Sequence, residues 1–283
     1  MNIMNTIISP RELHTALQQP QQSIILLDCR FTLGKPEAGS DAYQNEHLPD
    51  AHYLDLEKDL SSVATSHGGR HPLPDVQKLA QKLGSLGINA DSRVVVYDEQ
   101  NGMMASRAWW LLRYIGIEYV QILNGGFTNW KQSGYETTKS VPAASPQTFV
   151  PFVQQDWGLA GVEYVKENLH NPNVVLVDSR EKKRYLGLEE PIDFVAGHIP
   201  GAIHSFWQDV LTSEGLWKTD KEWKEMFSAI DSHAEVIVYC GSGVSACPNV
   251  LALKSAGFPN VKLYAGSWSD WISYRDNPIE KNR

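Results

Sequence analysis

A cysteine followed by a glycine-rich run is the stretch of this sequence best suited to chemistry. Cys240 comes directly after residues 236–239, whose apolar, β-branched and aromatic side chains predict a buried strand. Gly241 and Gly243 permit a tight loop with inward-facing N–H groups, and a helical pattern begins near Ser245. A helix start and a ring of amide donors favour the thiolate, which is the nucleophilic form of cysteine. The pattern therefore predicts a nucleophilic Cys240.

Two other interpretations of this loop have to be weighed. Buried cysteines are common at strand ends for packing reasons alone. A nest of main-chain amides also serves as a phosphate cradle. A cysteine-dependent phosphatase, however, needs an arginine six residues after its cysteine to grip the phosphate, and that position here is Ala246. The sequence therefore excludes the phosphatase.

The elements that must position this loop occur twice in the chain. Four blocks recur in the same order, residues 24–30 with 174–180, 46–51 with 197–202, 94–98 with 236–240, and 123–130 with 264–271. Such a repeat indicates a duplicated unit. Strands that alternate with helices predict a mainly parallel sheet in each copy. The predicted fold class is α/β, with two tandem domains, each a central mainly parallel sheet flanked by helices.

The repeat also indicates which copy carries the chemistry. Cys240 in the second copy corresponds to Asp98 in the first, so only one copy keeps the nucleophile. In parallel sheets the functional site lies at the carboxyl ends of the strands, where Cys240 is placed. We therefore predict an inactive domain over residues 1–138, a linker over 139–157 and a catalytic domain over 158–283.

Composition limits the partners that can be considered. The 283 residues carry a formal net charge of −8 without a long basic run, which argues against nucleic acids and anionic membranes. The sequence has no apolar stretch of spanning length and no signal-peptide pattern at its start. Three widely spaced cysteines make neither a disulfide framework nor a zinc site. We predict a cytoplasmic protein with reduced thiols and no bound metal.

Together, the repeated motifs resemble those of the tandem-domain rhodaneses, which are thiosulfate or 3-mercaptopyruvate sulfurtransferases. The resemblance covers nearly the whole chain and rests on residues 28–30, 47–49, 178–180, 197–201, 240–246 and 266–271. It implies a cysteine persulfide intermediate and no metal or organic cofactor. It also implies a small-molecule sulfur donor and a cyanide or thiol acceptor. A thioredoxin-like protein is the candidate reductant.

The resemblance also assigns roles to individual residues. Cys240 is the nucleophile, and the loop residues that would hold the donor are Gly241, Gly243, Val244, Ser245 and Ala246. In the mercaptopyruvate type, the loop serine works with an aspartate and a histidine of the first domain. The matching positions are Ser242, Asp55 and His71.

Arg184 matches one of two arginines that hold the donor carboxylate in the mercaptopyruvate type, and residues 191–195 offer no second one. Gly241 and Ser242 are uncharged where enzymes that prefer thiosulfate carry cations. We therefore predict that 3-mercaptopyruvate is used at least as well as thiosulfate. Two alternatives stay open: His71 as a solvated loop residue, and the chain as a non-catalytic sulfide-sensing or interaction module.

Overall fold

The computed structural model describes residues 6–19, 21, 23–99, 101–154 and 157–281. The chain divides into two compact units. The first spans Met1–Ser62, Pro74–Gln155 and Ser213–Trp217. The second spans Val63–Leu73, Asp156–Thr212 and Lys218–Arg283. Each unit therefore includes a short segment from the other half of the sequence.

The first unit is built on a five-stranded parallel sheet. The strand order is β1-β5-β4-β2-β3, which places β4 between β5 and β2. The strands are β1 (Ile7–Ile8), β2 (Ile24–Asp28), β3 (Ala51–Tyr53), β4 (Arg93–Tyr97) and β5 (Tyr119–Leu123). The helices are α1 (Pro10–Leu17), α2 (Ala38–Asn45), α3 (Val76–Ser85), α4 (Met103–Tyr114) and α5 (Gly126–Gln132).

The second unit is built on a four-stranded parallel sheet of order β7-β6-β8-β9. The strands are β6 (Val174–Asp178), β7 (Ile203–His204), β8 (Glu235–Tyr239) and β9 (Val261–Leu263). The α-helices are α6 (Val162–Glu167), α7 (Lys182–Tyr185), α8 (Asp220–Met226), α9 (Cys247–Ser255) and α10 (Ser267–Trp271). The predicted fold class, two α/β units with parallel sheets and flanking helices, is confirmed.

The helix that follows the predicted nucleophile begins slightly later than the sequence pattern suggests. Its first residue is Cys247 rather than Ser245, and Pro248 occupies the first turn, where no intrahelical N–H bond is needed. Gly243 adopts a left-handed φ of +76°, which no α-helix contains. The loop between β8 and α9 therefore extends over residues 241–246.

Each sheet holds the same buried ion pair at the carboxyl end of one strand. In the first unit Arg30 Nη2 lies 2.7 Å from Asp28 Oδ2, and in the second Arg180 Nη2 lies 2.6 Å from Asp178 Oδ2. Each arginine also donates to a main-chain carbonyl at 2.6 Å. Because the pair occurs in both units, including the one without a nucleophile, it has a structural role.

Aromatic side chains fill the core of the second unit around the end of β8. Tyr239, Tyr264, Trp268 and Trp271 are all buried. Burial of such large side chains is a main source of folding free energy. The core therefore gives a rigid base to the loop that starts at Cys240. Among the described residues, no helix is both long enough and apolar enough to cross a bilayer.

Candidate active site

Cys240 lies at the carboxyl end of a strand that has neighbours on both sides. Its side chain is fully buried. Its N–H donates to Ser267 Oγ at 3.0 Å, and its carbonyl accepts from Trp268 N at 2.9 Å. The start of α10 thus fixes both main-chain groups of Cys240, which holds the thiol in one place.

A main-chain amide points at the sulfur of Cys240. Gly243 N lies 3.1 Å from Cys240 Sγ, so its N–H donates to the sulfur. At Gly243, φ is +76°, and an added Cβ would lie 2.2 Å from the carbonyl oxygen of Ala265. Only glycine can adopt this conformation in the space available. The glycine is therefore required for the N–H that stabilises a negative sulfur.

The remaining loop residues are bonded to the helix that follows them. Val244 and Ala246 are buried, and Ser245 is half-buried. Cys247 N donates to Val244 O at 3.1 Å, and Val250 N donates to Ala246 O at 3.1 Å. These bonds join the loop to α9.

Ser242 and His71 form a hydrogen-bonded pair. Ser242 Oγ lies 2.8 Å from His71 Nδ1. His71 is 8% exposed and Ser242 7% exposed, so this bond is shielded from bulk water. The alternative of a solvated loop histidine is therefore wrong. A hydroxyl paired with an imidazole can pass a proton to or from a reacting group.

Residues 63–73 bring His71 to Ser242 because this segment packs within the second unit. Gly68 N donates to Asp270 Oδ1 at 2.7 Å, and Arg70 N donates to Ser269 Oγ at 3.1 Å. Both acceptors lie on α10, the helix that also fixes Cys240. One short helix thus positions the nucleophile and the segment that carries His71.

Two arginines converge on Gly241. An added Cβ at Gly241 would lie 2.9 Å from Arg70 Nη2 and 3.5 Å from Arg184 Nη2. Burial lowers the pKa of the Arg70 guanidinium, the charge of Cys240 opposes that shift, and the charge of Arg184 adds to it. Arg184, on α7, donates through Nε to both carboxylate oxygens of Glu190 at 2.9 Å. The absence of a side chain at Gly241 leaves room for both guanidinium groups beside the residue that follows the nucleophile.

Asp55 lies in the first unit, where its described bonds are local. Its Oδ1 accepts from the backbone N–H of Glu57 at 2.8 Å and of Lys58 at 2.9 Å. Tyr53 donates its hydroxyl to Asp55 Oδ2 at 3.3 Å, and burial together with that carboxylate raises the pKa of Tyr53. These bonds hold the carboxylate in one orientation. Its predicted partnership with His71 and Ser242 stays a prediction.

Asp98, the counterpart of Cys240 in the first unit, accepts hydrogen bonds from the main chain that follows it. Asp98 Oδ1 accepts from Gly102 N at 2.9 Å. Asp98 Oδ2 accepts from Met104 N at 2.7 Å and from Ala105 N at 2.9 Å. The amides that begin α4 are thus occupied by a carboxylate of the protein itself, which leaves them unavailable to an anionic substrate.

The other two cysteines have packed surroundings. Burial raises the pKa of the Cys29 thiol well above its ordinary value, and nearby carboxylates add to the shift. Cys247 is also buried, and its Sγ lies 3.4 Å from Gly243 O. No group of three or more His, Cys, Asp or Glu side chains within the described ranges could hold a metal ion.

Arg70 and Asp193 belong to this site, and the sequence motifs assigned neither. Asp193 Oδ2 accepts from Arg184 Nη2 at 3.0 Å, and Asp193 Oδ1 pairs with Arg70 Nη1. In the sequence, Arg70 could have been assigned to the site from its position next to His71. Asp193 had no such signal, because it lies in a stretch notable only for lacking a second arginine.

Comparison with known proteins identifies the family of this duplicated fold. Residues 9–133 and 161–274 each match the rhodanese-like domain. The chain belongs to the rhodanese family. It is 42% identical over 279 residues to a "Probable 3-mercaptopyruvate sulfurtransferase" of Pseudomonas aeruginosa, covering 96% of this chain and 97% of that protein. It is 37% identical over 237 residues to the thiosulfate sulfurtransferase of Cricetulus griseus, covering 81% and 78%.

A solved rhodanese-family structure has the same fold. The 3-mercaptopyruvate sulfurtransferase from Leishmania major superimposes with a TM-score of 0.80 at 25% identity, covering 96% of this chain and 75% of that one. The predictions of an enzyme and of a sulfurtransferase are confirmed by these relatives. The alternative of a non-catalytic sensing or interaction module is not favoured.

Proposed function

We propose that this rhodanese carries sulfane sulfur on Cys240 as a persulfide, between a small anionic donor and a thiophilic acceptor. The observation that carries the proposal is the buried Cys240 sulfur, which accepts the Gly243 N–H at 3.1 Å. The same amide can donate to the terminal or bridging sulfur of a persulfide. Such preorganised donors are the usual means of stabilising an anion during group transfer.

The reaction balances in two steps. The Cys240 thiolate attacks the outer sulfur of the donor and forms an S–S bond, while the bond between that sulfur and the rest of the donor breaks. Thiosulfate releases sulfite with the bonding electron pair, and 3-mercaptopyruvate releases the pyruvate enolate, which takes a proton on carbon. Cyanide or a thiolate then attacks the outer persulfide sulfur and regenerates the Cys240 thiolate.

We infer that 3-mercaptopyruvate is used at least as well as thiosulfate. The supporting observation is the buried hydrogen bond between Ser242 Oγ and His71 Nδ1, which is 2.8 Å long. Ser242 is the second residue after the nucleophile. Only the enolate leaving group needs a proton, so only this donor benefits from a proton relay. Arg184 binds the donor carboxylate, and Asp55 orients His71, in this proposal.

Thiosulfate is the second candidate donor, and one observation favours it. The guanidinium groups of Arg70 and Arg184 both approach Gly241, which supplies cations that the loop sequence itself lacks. A relative named for thiosulfate and another named for 3-mercaptopyruvate are both similar to this chain. The comparison of kcat/KM for the two donors decides between them.

In this proposal residues 158–283 are the catalytic domain that carries the nucleophile, residues 139–157 are the linker, and residues 1–138 are the inactive domain, which has no nucleophile of its own but contributes His71 to the site. The carboxylate of Asp98 supports it, because it occupies the amides that would otherwise receive an anion. Three free thiols support a reducing, cytoplasmic location. A thioredoxin-like protein is the proposed reductant, since it would supply the thiol that accepts the sulfur.

The first test replaces the nucleophile. The Cys240→Ser variant should lose sulfur transfer from both donors, because a hydroxyl cannot form a persulfide. Intact-protein mass spectrometry after mixing with donor should show a gain of one sulfur atom in the wild type and no gain in the variant. Cys247→Ser is the matched control, since its hydroxyl can replace the thiol bond to Gly243 O. Turnover that survives in Cys240→Ser would refute the assignment.

A further inference from the structure

One carboxylate bridges the two arginines that approach Gly241, the residue after the nucleophile. Asp193 Oδ2 accepts from Arg184 Nη2 at 3.0 Å, and its other oxygen pairs with Arg70 Nη1. The Asp193 side chain is only 4% exposed. The Arg184 side chain is 12% exposed and the Arg70 side chain 34% exposed, so water screens the pairing with Arg184 weakly and the pairing with Arg70 more strongly. Each guanidinium meets a fixed negative charge before any donor arrives.

Both guanidinium groups approach the residue that follows the nucleophile. The missing Cβ of Gly241 would lie 2.9 Å from Arg70 Nη2, and 3.5 and 3.6 Å from Nη2 and Nη1 of Arg184. A donor whose sulfur reaches Cys240 can place its anionic group close to these two side chains. Asp193 contacts both of them.

The ion-pair cluster around this point is balanced in formal charge. It contains three guanidinium groups and three carboxylates, those of Arg70, Arg180, Arg184, Asp178, Glu190 and Asp193. An incoming anion therefore meets no net positive charge, only the local dipoles of the pairs. The cost of removing an anion from water rises steeply with its charge, so a dianion is disfavoured more than a monoanion.

We propose that Asp193 is a specificity-determining residue, which makes this sulfurtransferase favour monoanionic sulfur donors over dianionic ones. This inference rests on the proposed function of the Cys240 site. At neutral pH, a mercaptocarboxylate carries one charge on its carboxylate and a neutral thiol, whereas thiosulfate carries two charges. The Asp193 carboxylate neutralises part of the positive field of Arg70 and Arg184. The attraction that remains is enough to bind a monoanionic mercaptocarboxylate and too weak to bind dianionic thiosulfate.

The test removes the charge and keeps the shape. In Asp193→Asn, kcat/KM for thiosulfate should rise about ten-fold relative to kcat/KM for 3-mercaptopyruvate. The reason is that the second negative charge of thiosulfate then meets guanidinium charge that Asp193 no longer neutralises. The turn around residue 193 should survive, because its main-chain N–H donates to Glu190 Oε1 at 3.0 Å, independently of the side chain. Asp193→Ser is the second variant, in case the amide forms a new bond to an arginine.

Glu189→Gln is the matched control. It removes the same charge from the same segment, but its carboxylate pairs with the exposed Lys183 at 2.8 Å. The donor ratio should stay at the wild-type value in this control. A second measurement uses sulfate and acetate as competitive inhibitors, which need no sulfur transfer. The inhibition constant of sulfate should fall about ten-fold in Asp193→Asn, and that of acetate should fall less.

The outcomes separate the two proposals. If Cys240 gains sulfur from donor but neither variant changes the donor ratio or sulfate inhibition, the role of Asp193 is wrong and the proposed function stands. If Cys240 gains no sulfur from either donor in the wild type, both proposals are wrong. A shift of equal size in Glu189→Gln would also overturn the inference, because it would show a general charge effect.

Discussion

The hydroxyl of Ser242 is the group that can distinguish the two candidate donors by chemistry rather than charge. It lies on the loop, two residues after Cys240, and its Oγ is 2.8 Å from His71 Nδ1. Sulfite departs from thiosulfate as a stable anion. The pyruvate enolate is a strong base and has to be protonated, so the pair of Ser242 and His71 matters for one leaving group only.

The substitution Ser242→Ala should therefore have unequal effects on the two donors. We expect kcat with 3-mercaptopyruvate to fall by about 10² and kcat with thiosulfate to change by less than about three-fold. Steady-state kinetics with cyanide as acceptor measure both. His71→Gln should give the same pattern, because it removes the partner of the hydroxyl. An equal loss with both donors would mean that Ser242 only supports the shape of the loop.

Sequence motifs predicted the residues of this site that lie on the loop or inside a recognisable run. Cys240, Ser242 and Arg184 are of this kind, and the structure brings their side chains or main chains together around Gly241. Arg70 and Asp193 were missed because their importance comes from one ion pair between positions 123 residues apart. No local pattern encodes such a pair, since each partner alone resembles an ordinary surface charge.

The loop between β8 and α9 depends on the conformation of one glycine. Gly243 has a φ of +76°, and its absent Cβ would lie 2.2 Å from Ala265 O. The motif predicted a tight loop with inward N–H groups, and Gly243 N does donate to the sulfur of Cys240. It did not predict where the helix begins, because Ser245 and Ala246 are compatible with either a helix or a turn.

We predict that Gly243→Ala inactivates the enzyme. The Cβ must push against a main-chain carbonyl, so the loop has to move and the N–H bond to the sulfur is lost. We expect kcat/KM to fall at least about 10²-fold for both donors. Gly257→Ala is the control, because this glycine also has a positive φ of +96° but has nothing within 4 Å of the added Cβ.

The control should lose about 1 kcal/mol of stability, the usual cost of a left-handed alanine, and should keep its activity. Kinetics and thermal unfolding on both variants separate backbone strain from damage to the site. If Gly243→Ala and Gly257→Ala lose the same small amount of stability and both stay active, then the amide of Gly243 has no part in sulfur transfer.

On the scale of the whole chain, the two units exchange short segments. Residues 63–73 belong to the second unit and residues 213–217 to the first. The repeat predicted two copies of one fold, and that is what the sheets show. It could not predict the exchange, because the 63–73 segment is a polar loop without periodicity, and its place is set by contacts such as Gly68 N with Asp270 Oδ1.

The exchange has a consequence that can be tested by cutting the chain. A protease site inserted between Ala143 and Ala144 would lie in an exposed stretch without regular secondary structure. The cut gives a first fragment that ends at Ala143 and a second fragment that begins at Ala144. Each compact unit contains residues from both fragments, since 63–73 belongs to the second unit and 213–217 to the first. We therefore expect the two fragments to stay associated after cleavage and to keep sulfurtransferase activity. Size-exclusion chromatography and kinetics on the cleaved protein measure both properties.

The second fragment alone should behave differently from the cleaved pair. It lacks Arg70 and His71, so we expect its kcat/KM for 3-mercaptopyruvate to be lower by at least about 10²-fold. The double variant Arg70→Ala and His71→Ala in the intact chain is the control, because it removes the same two side chains without removing the rest of the 63–73 segment. The fragment should be at least as impaired as this variant, since it also loses the main-chain bond from Gly68 to Asp270. A separated second fragment with the full activity of the intact chain would show that the 63–73 segment contributes nothing to the site.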